Sequence, residues 1–397
     1  MKRFICFFTA FFCFIFPFKV NATEVGTLYP YDIPTSAFWF ESAAAEYTDS
    51  GNAKALLLME YSTGRILFAK NEKEHLPIAS VTKVMSTLLI MEALDEGKIG
   101  LQDKVTVSEY AASMGGSQVF LEPGEEMVLE DLLKALIVSS ANDATVALAE
   151  FVFGSEEAFV QAMNNRAREL GCENSNFVNT NGLPVENHYS CALDVATITR
   201  ELMKHEKIFD YTTIWMDTIR NGSFGLSNTN KLIRFYKGAT GMKTGFTDEA
   251  KFCVSATAKR DNMHLIAVVL GGDTSDNRFA AAKRMFDFGF ANYSVITPEV
   301  PSLEPIRINR GVEKTAELYA EPIDLLVEKG NGKNIETQIT VEESLTAPFG
   351  ENTEAGYISY LADGKEIART KIFTKQCATE ISYFSLLCQF FDKLLFK

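Results

Sequence analysis

The sequence predicts an α+β fold, with a large mixed domain followed by a small β-rich one. Two pairs of strand-like segments, at 55–61 with 66–70 and at 252–259 with 263–270, enclose a long region of helical character. In that region apolar residues recur at three- and four-residue steps, which is typical of amphipathic helices. After about Pro298, short alternating runs and turn dipeptides replace the helical pattern. Strand pairs around a block of helices favour the α+β class.

Composition indicates a globular protein. The chain has 397 residues, of which 47% are hydrophobic and 23% charged, and this is enough for a large core and two domains. Acidic residues outnumber basic ones by 52 to 38, for a formal net charge of −14. A nucleic-acid-binding protein needs a basic face, so this balance argues against nucleic acid as a partner. Histidines and cysteines lack zinc-ligand spacing, so neither metal nor cofactor is expected.

Residues 1–22 have the pattern of a secretory signal peptide. Lys2 and Arg3 precede an apolar run over 4–18, and Val20-Asn21-Ala22 resembles a cleavage flank. The alternative is a transmembrane anchor, but fifteen residues are short for a bilayer. The segment carries three basic residues and no acidic one, so its removal changes the net charge from −14 to −17. We expect a mature protein secreted across the cytoplasmic membrane to its extracellular face.

The elements of the first domain, residues 23–295, are predicted in chain order. A hairpin turns at Ser62-Thr63-Gly64-Arg65, and a helical pattern opens at Pro77-Ile78-Ala79-Ser80 and ends at Gly97. Further helices are predicted at 128–138, 143–153, 155–170 and 280–290, and the second strand pair turns at 260–262.

The β-rich domain is predicted over 298–374. Asn331-Gly332 and Asp363-Gly364 are dipeptides typical of hairpin turns, and strands at 357–361 and 366–370 flank the second of them. No internal repeat is evident.

Residues 376–397 predict an amphipathic helix. Its apolar stripe consists of Phe384, Leu387, Cys388, Phe391, Leu394 and Leu395, with Ser382, Ser385, Gln389 and Asp392 opposite. Such a helix could dock on the β-rich domain. Its terminal position and large aromatic residues favour the alternative, an anchor lying on the membrane surface.

The first motif with chemical potential is Ser80-Val81-Thr82-Lys83. Residues three apart on a helix share a face, and a serine in the first turn lies where free N–H groups and the helix dipole favour negative charge. A lysine becomes a useful base only when burial or a second cation lowers its pKa from about 10.4. Chance alone produces Ser-x-x-Lys about once or twice in a chain of this length, so the motif has little weight by itself.

Two further motifs follow in the chain. Ser140-Ala141-Asn142 lies between predicted helices, where a hydroxyl could relay a proton and an amide could bind a peptide bond. Taken alone, it is more simply explained by helix capping. Lys243-Thr244-Gly245 precedes the second strand pair, and its side chains could hold a carboxylate beside a glycine that allows close approach. The order and spacing of the three motifs are far more specific than any one of them.

Together the three motifs resemble those of the serine D-alanyl-D-alanine carboxypeptidases, also called low-molecular-weight penicillin-binding proteins. The resemblance covers about residues 35–292, and the β-rich tail resembles the family's second domain more weakly. It includes Gly116-Ser117, Phe120-Leu121, Pro123-Gly124, Asn181-Gly182-Leu183, His188-Tyr189-Ser190 and Gly271-Gly272. It implies a β-lactamase/transpeptidase-like catalytic domain, in which helices pack on an antiparallel sheet.

The resemblance also implies an activity: removal of the terminal D-alanine from peptidoglycan pentapeptides through an acyl-enzyme, with β-lactams as covalent inhibitors. Ser80 would be the nucleophile, Lys83 its general base and Ser140 the proton relay. The implied substrate-binding residues are Asn142 for the amide, Lys243 and Thr244 for the terminal carboxylate, Gly245, Phe246, and Arg278 near the carboxylate. The backbone N–H groups of Ser80 and Phe246 would form the oxyanion hole.

Other functions share parts of this pattern. A serine β-lactamase usually has Asp where this chain has Ala141, and no Glu-x-x-Leu-Asn sequence is found. A D,D-endopeptidase would use the same machinery, whereas a non-catalytic peptidoglycan- or penicillin-binding module would not need three intact motifs. His188 could form a triad with Ser80, but a lysine already lies three residues from that serine. Cys191 and Cys253 are expected to be small buried residues.

Overall fold

A computed structural model describes residues 53–330 and 335–395. The predicted signal peptide, the first part of the predicted catalytic domain (23–52), the predicted Asn331-Gly332 turn and the last two residues of the predicted terminal helix lie outside these ranges.

The strands alternate with helices in the first part of the chain and dominate the second. The strands are β1 (Ala55–Glu60), β2 (Ile66–Lys70), β3 (Lys104–Thr106), β4 (Glu126–Val128), β5 (Met216–Ile219), β6 (Phe224–Ser227), β7 (Ala239–Thr247), β8 (Lys251–Arg260), β9 (Met263–Gly272), β10 (Tyr293–Ile296), β11 (Ile306–Asn309), β12 (Thr315–Ala316), β13 (Leu318–Ala320), β14 (Leu325–Glu328), β15 (Ile335–Val341), β16 (Ser344–Thr346), β17 (Glu354–Ala362) and β18 (Lys365–Thr374). The helices are α1 (Lys83–Asp95), α2 (Glu109–Ala112), α3 (Leu129–Val138), α4 (Asn142–Phe153), α5 (Glu156–Glu169), α6 (Ala192–Leu202), α7 (Phe209–Thr212), α8 (Leu232–Phe235), α9 (Ser275–Asn292) and α10 (Tyr383–Leu395).

An antiparallel five-stranded sheet in the order β2-β1-β9-β8-β7 organises the first domain. Side chains of a strand alternate between the two faces. Leu57 therefore joins one core with α1 and the helices α3 to α6, and Leu56 joins the opposite core with Phe279 and Phe286 of α9. The predicted α+β class, with helices on an antiparallel sheet, is confirmed. β7 forms one edge of the sheet.

The chain after α9 is rich in strands. It contains a four-stranded sheet, β13-β18-β17-β15, and a three-stranded one, β12-β11-β16, while β10 pairs with β14. These sheets enclose a separate apolar core that includes Ile358, Tyr360 and Ile372. The predicted Asp363-Gly364 turn joins β17 to β18, and both of its residues have positive φ, 50° and 74°.

The structure corrects the prediction that Ser80 lies in the first turn of an α-helix. Ser80 belongs to a 3₁₀ turn, Ala79–Thr82, and α1 begins only at Lys83. Ala79 has φ of +47°, which a right-handed helix does not accommodate. In a 3₁₀ turn, side chains three residues apart lie directly above one another, so Ser80 and Lys83 still meet.

The terminal helix is shorter than the predicted span of 376–397. Ala378 pairs with Phe349, and the N–H of Ile381 bonds the Arg310 carbonyl, so this stretch is extended along the β-rich domain. The helix begins at Tyr383. Over the described ranges, every helix is too short or too polar to traverse a lipid bilayer.

Candidate active site

The site is centred on Lys83, whose side chain is fully buried. Its Nζ lies 3.0 Å from Ser80 Oγ, 2.6 Å from Asn142 Oδ1 and 2.8 Å from the Asn181 carbonyl oxygen. The last two atoms can only accept hydrogen bonds. A neutral amine would donate its two N–H groups to them and direct its lone pair at the hydroxyl of Ser80.

The surroundings of Lys83 favour this neutral form. Burial is the main cause that holds the pKa of Lys83 well below the usual value for lysine, and the charge of Lys243 is the second. The carboxylate of Asp143 opposes the shift. Burial disfavours the charged form of an amine, and a nearby cation does the same. Lys83 therefore has both the position and the lowered pKa that a base for Ser80 needs.

Ser140 and Asn142 occupy the connection between α3 and α4. Ser140 is buried and has φ of +62°, and Asn142 opens α4. Besides accepting from Lys83, Asn142 donates through Nδ2 to the Gly115 carbonyl at 2.7 Å. Within the described part of the chain, Ser140 Oγ forms no hydrogen bond with either lysine of the site. The Nζ of Lys83 bonds Ser80, Asn142 and Asn181 instead, and the Nζ of Lys243 bonds the Thr244 carbonyl.

Lys243, Thr244 and Gly245 lie on the edge strand β7. Burial, followed by the charge of Arg278, lowers the pKa of Lys243 to about 7. Thr244 donates from Oγ1 to Thr229 Oγ1 at 2.7 Å. Arg278 Nη1 donates to the carbonyls of Gly245 and Cys253 at 2.9 and 3.1 Å, and its buried Nε has no hydrogen-bond partner among residues 53–330 and 335–395. Lys243 on β7 and Arg278 on α9 thus place two basic side chains at this edge of the sheet.

Two glycines let the chain pack against the nucleophile turn. A Cβ on Gly245 would lie 3.0 Å from the backbone N of Ser80 and 2.7 Å from the Ile78 carbonyl. A Cβ on Gly182 would lie 2.0 Å from the Ala79 carbonyl oxygen. These close approaches bring β7, and the segment that holds the Asn181 carbonyl, against the turn that carries Ser80.

The remaining candidates lie outside this cluster. His188 bonds Thr82 Oγ1 at 2.8 Å and accepts from the Val178 N–H, and burial lowers its pKa to about 4. It is a neutral structural residue, as favoured from the sequence. Cys191 and Cys253 are buried and form no disulfide in the part of the chain that the structure describes, and burial raises the pKa of both thiols. Phe246, by contrast, is half exposed beside Gly245.

Two contributors to the site were missed from the sequence. The Asn181 carbonyl bonds Lys83, and Thr229 bonds Thr244. Asn181-Gly182-Leu183 was noticed only as part of the family resemblance, because a backbone acceptor leaves no side-chain signature.

The sequence matches known protein families and individual proteins over most of its length. Residues 42–274 match the model of the S11 peptidases, described as D-alanyl-D-alanine carboxypeptidase, and residues 299–380 match the C-terminal domain of penicillin-binding protein 5. The chain is 44% identical over 342 residues to D-alanyl-D-alanine carboxypeptidase DacF of Bacillus subtilis, covering 84% of this chain and 88% of that one. It is 33% identical to DacC of Escherichia coli, covering 89% and 93%.

Solved structures of penicillin-binding proteins have a similar fold. Penicillin-binding protein 5 of Haemophilus influenzae superposes with a TM-score of 0.77 at 30% identity, covering 85% of this chain and all of that one. Penicillin-binding protein D2 of Listeria monocytogenes, in its ampicillin-bound form, gives a TM-score of 0.55 at 29% identity, covering 60% and 97%.

The fold and the sequence matches define a serine-type peptidase. The chain belongs to the S11 family of serine-type D-alanyl-D-alanine carboxypeptidases. The predicted family, fold class and enzyme class are thereby confirmed.

Proposed function

We propose that this carboxypeptidase cleaves the D-alanyl-D-alanine bond of peptidoglycan pentapeptides with Ser80 as nucleophile and Lys83 as its neutral general base. The observation that carries this assignment is the triple contact of Lys83 Nζ, in which two acceptors fix the amine and the third neighbour is Ser80 Oγ. A serine is a weak nucleophile until an adjacent base removes its proton.

The geometry supports the following acylation step. Lys83 takes the proton of Ser80 as Oγ attacks the carbonyl of the penultimate D-alanine, and the C–N bond breaks when a proton reaches the leaving amine. Ser140 is the proposed relay for that proton, and Asn142 the residue that orients the substrate amide. Water hydrolyses the resulting ester, returning Ser80 and releasing the shortened peptide.

The oxyanion of each tetrahedral intermediate would be bound by the backbone N–H groups of Ser80 and Phe246. The proximity of Gly245 to Ser80 supports this pairing, because only a residue without a Cβ lets the two backbones come so close. One such donor is typically worth about 2.7–4 kcal/mol of the activation barrier.

The terminal carboxylate of the substrate would meet the cationic edge of β7. Lys243 and the hydroxyl of Thr244 are its proposed ligands, with Arg278 behind them. The two hydrogen bonds from Nη1 to backbone carbonyls hold the guanidinium of Arg278 at this edge, and its buried Nε bonds no residue within the described ranges. A free carboxylate next to the scissile bond is therefore required, which is the property of a carboxypeptidase.

β-Lactams are proposed to acylate the same serine, because their strained amide presents a carbonyl and a carboxylate in a similar arrangement. The ampicillin-bound relative supports this inference.

The protein is further proposed to be exported by residues 1–22 and held on the outer face of the cytoplasmic membrane by α10. The described apolar side chains of this helix are solvent-exposed: Phe384 by 74%, Phe391 by 51% and Leu387 by 45%. This exposure favours the anchor over a helix docked on the β-rich domain. An apolar helical face can lie in the lipid interface without spanning the bilayer.

The proposed activity is tested with a pentapeptide that ends in D-Ala-D-Ala. Time-dependent release of D-alanine, and none from the matched peptide ending in D-Ala-L-Ala, is expected. A peptide blocked at its terminal carboxylate as an amide should also resist cleavage. Equal cleavage of the blocked peptide would contradict the proposed role of Lys243 and Thr244.

The pH profile of kcat/KM is expected to be bell-shaped. Activity should rise as Lys83 loses its proton, at a pH well below the usual lysine pKa, and fall above about pH 7 as Lys243 loses the charge that binds carboxylate. In Lys243→Met, the loss of the neighbouring charge should raise the pKa of Lys83 and move the acid limb to higher pH. A wild-type profile with no fall between about pH 7 and 10 would contradict the role of Lys243, and an acid limb that does not move in Lys243→Met would argue against Lys83 as the base.

Removal of residues 383–397 should turn a membrane-associated enzyme into a soluble one with unchanged activity on a small peptide. Each buried apolar side chain contributes about 1.5–3 kcal/mol, and the acidic chain itself is repelled by anionic lipid. Fractionation of full-length and truncated protein measures the effect, with Phe384→Glu/Phe391→Glu as a full-length counterpart. Identical partitioning of all three would indicate that α10 is not an anchor.

A further inference from the structure

Arg220 lies outside the three motifs, in the turn between β5 and β6. Its guanidinium donates four hydrogen bonds to one loop, residues 113–125: to the Val119 carbonyl at 2.8 Å, to the Phe120 carbonyl at 3.1 Å, and to both carboxylate oxygens of Glu125 at 2.8 and 2.9 Å. The planar guanidinium fork suits this paired recognition, which a lysine ammonium does not reproduce.

The same loop is held from its other side by the second motif. The N–H of Asn142 donates to the Ser117 carbonyl and its Nδ2 to the Gly115 carbonyl, both at 2.7 Å. The buried carboxylate of Asp143 accepts from the N–H groups of Val119 and Leu121 at 3.0 and 3.1 Å. The loop therefore fixes the side chain that bonds Lys83.

The backbone of Phe120 requires such a clamp. Its φ is +56°, a left-handed conformation that bulky residues rarely adopt. Its ring is 66% exposed, so burial does not hold it there. The peptide group before Phe120 bonds Arg220 through the Val119 carbonyl. The peptide group after it bonds Arg220 through the Phe120 carbonyl and Asp143 through the Leu121 N–H. Strained backbone of this kind persists only where the surroundings over-determine it.

The hairpin that carries Arg220 also reaches the third motif. β6 ends at Ser227, and two residues later Thr229 Oγ1 accepts the hydrogen bond of Thr244 Oγ1. One hairpin thus contacts the loop beside Asn142 at its turn and the edge strand β7 at its end.

We propose that Arg220 is a positioning residue for acylation, which keeps loop 113–125 in the conformation that holds Asn142 against Lys83. The proposal rests on the proposed roles of Ser80, Lys83 and Asn142. Arg220 contacts none of the reacting atoms and acts through the loop.

The test compares Arg220→Gln with Arg200→Gln. Arg200 is a matched control because its guanidinium also bonds two backbone carbonyls, those of Tyr61 and Ser62 at 2.6 and 2.9 Å, but no residue of the motifs or the loop. Arg220→Gln should lower kcat for D-alanine release and the rate of β-lactam acylation about 100-fold, the scale expected for a small misplacement of catalytic groups. In Arg200→Gln, kcat and the acylation rate should stay within about twofold of the wild-type values, although its Tm should fall about as much as that of Arg220→Gln. Arg220→Lys should recover little, because it restores charge without the fork.

The outcomes separate the claims. If Arg220→Gln does not fold, Glu125→Gln, which leaves the two carbonyl bonds of Arg220 intact, should show a smaller loss of kcat in the same direction. Wild-type rates in a folded Arg220→Gln would overturn the proposal. If Glu125→Gln is used in its place, wild-type rates in that variant would do the same. An equal fall of kcat in Arg200→Gln would also overturn it. Failure of the wild-type protein to release D-alanine would instead overturn the proposed function, and the role of Arg220 with it.

Discussion

Replacing Ser80 by alanine should abolish D-alanine release and covalent labelling by penicillin together. Only this hydroxyl lies within hydrogen-bonding distance of the buried Lys83 Nζ, among the hydroxyls of the described chain. Loss of a nucleophile that acts as a unit with its base typically lowers kcat by a factor on the order of 10⁶. The measurement is the rate of D-alanine release by purified variant and wild type.

Ser155→Ala provides the matched control for Ser80→Ala. Its Oγ caps α5 by accepting from the Ala158 N–H, so its loss should cost about 1 kcal/mol of stability and leave the rate unchanged. Residual labelling of Ser80→Ala at the wild-type rate would show that a different residue is the nucleophile.

Gly182→Ala is expected to have the next largest effect, although Gly182 takes no part in the chemistry. The new Cβ would lie 2.0 Å from the Ala79 carbonyl oxygen and 2.4 Å from its carbon. Both atoms are backbone, so the collision can be relieved only by moving the turn that carries Ser80 or the segment that holds the Asn181 carbonyl. We expect kcat/KM to fall at least about 100-fold.

Gly154→Ala separates this collision from backbone strain. Gly154 has φ of +85°, close to the +82° of Gly182, but a Cβ on it would meet nothing within 4 Å. It should lose only about 1–2 kcal/mol of stability, the cost of a left-handed alanine, and keep its activity. Comparable activity in the two alanine variants would contradict the tight packing proposed here.

Helices and strands that are marked by a short sequence pattern were predicted well. The helix predicted at 128–138 is α3, from 129 to 138, and the hairpin predicted around Ser62 to Arg65 is β1–β2. The second strand pair is β8–β9. In each case, periodicity or a turn sequence within a few residues determines the structure.

Features that depend on distant contacts were not predicted. The 3₁₀ turn at Ser80 begins at Ala79, whose φ is positive, and Lys83 meets the Asn181 carbonyl across 98 residues of sequence. The Arg220 clamp joins positions 101 residues apart. Such pairings are set by how the sheet and helices pack, which no short motif records. The motif residues could be assigned because their order along the chain is itself distinctive.

The most direct test of the account is to map the site of acylation. The protein is incubated with a β-lactam, digested with a protease, and its peptides are analysed by mass spectrometry. The account predicts one adduct of the antibiotic's mass on the peptide containing Ser80, formed faster as pH rises through the depressed pKa of Lys83. An adduct on Ser140, on a cysteine, or on no residue would contradict it.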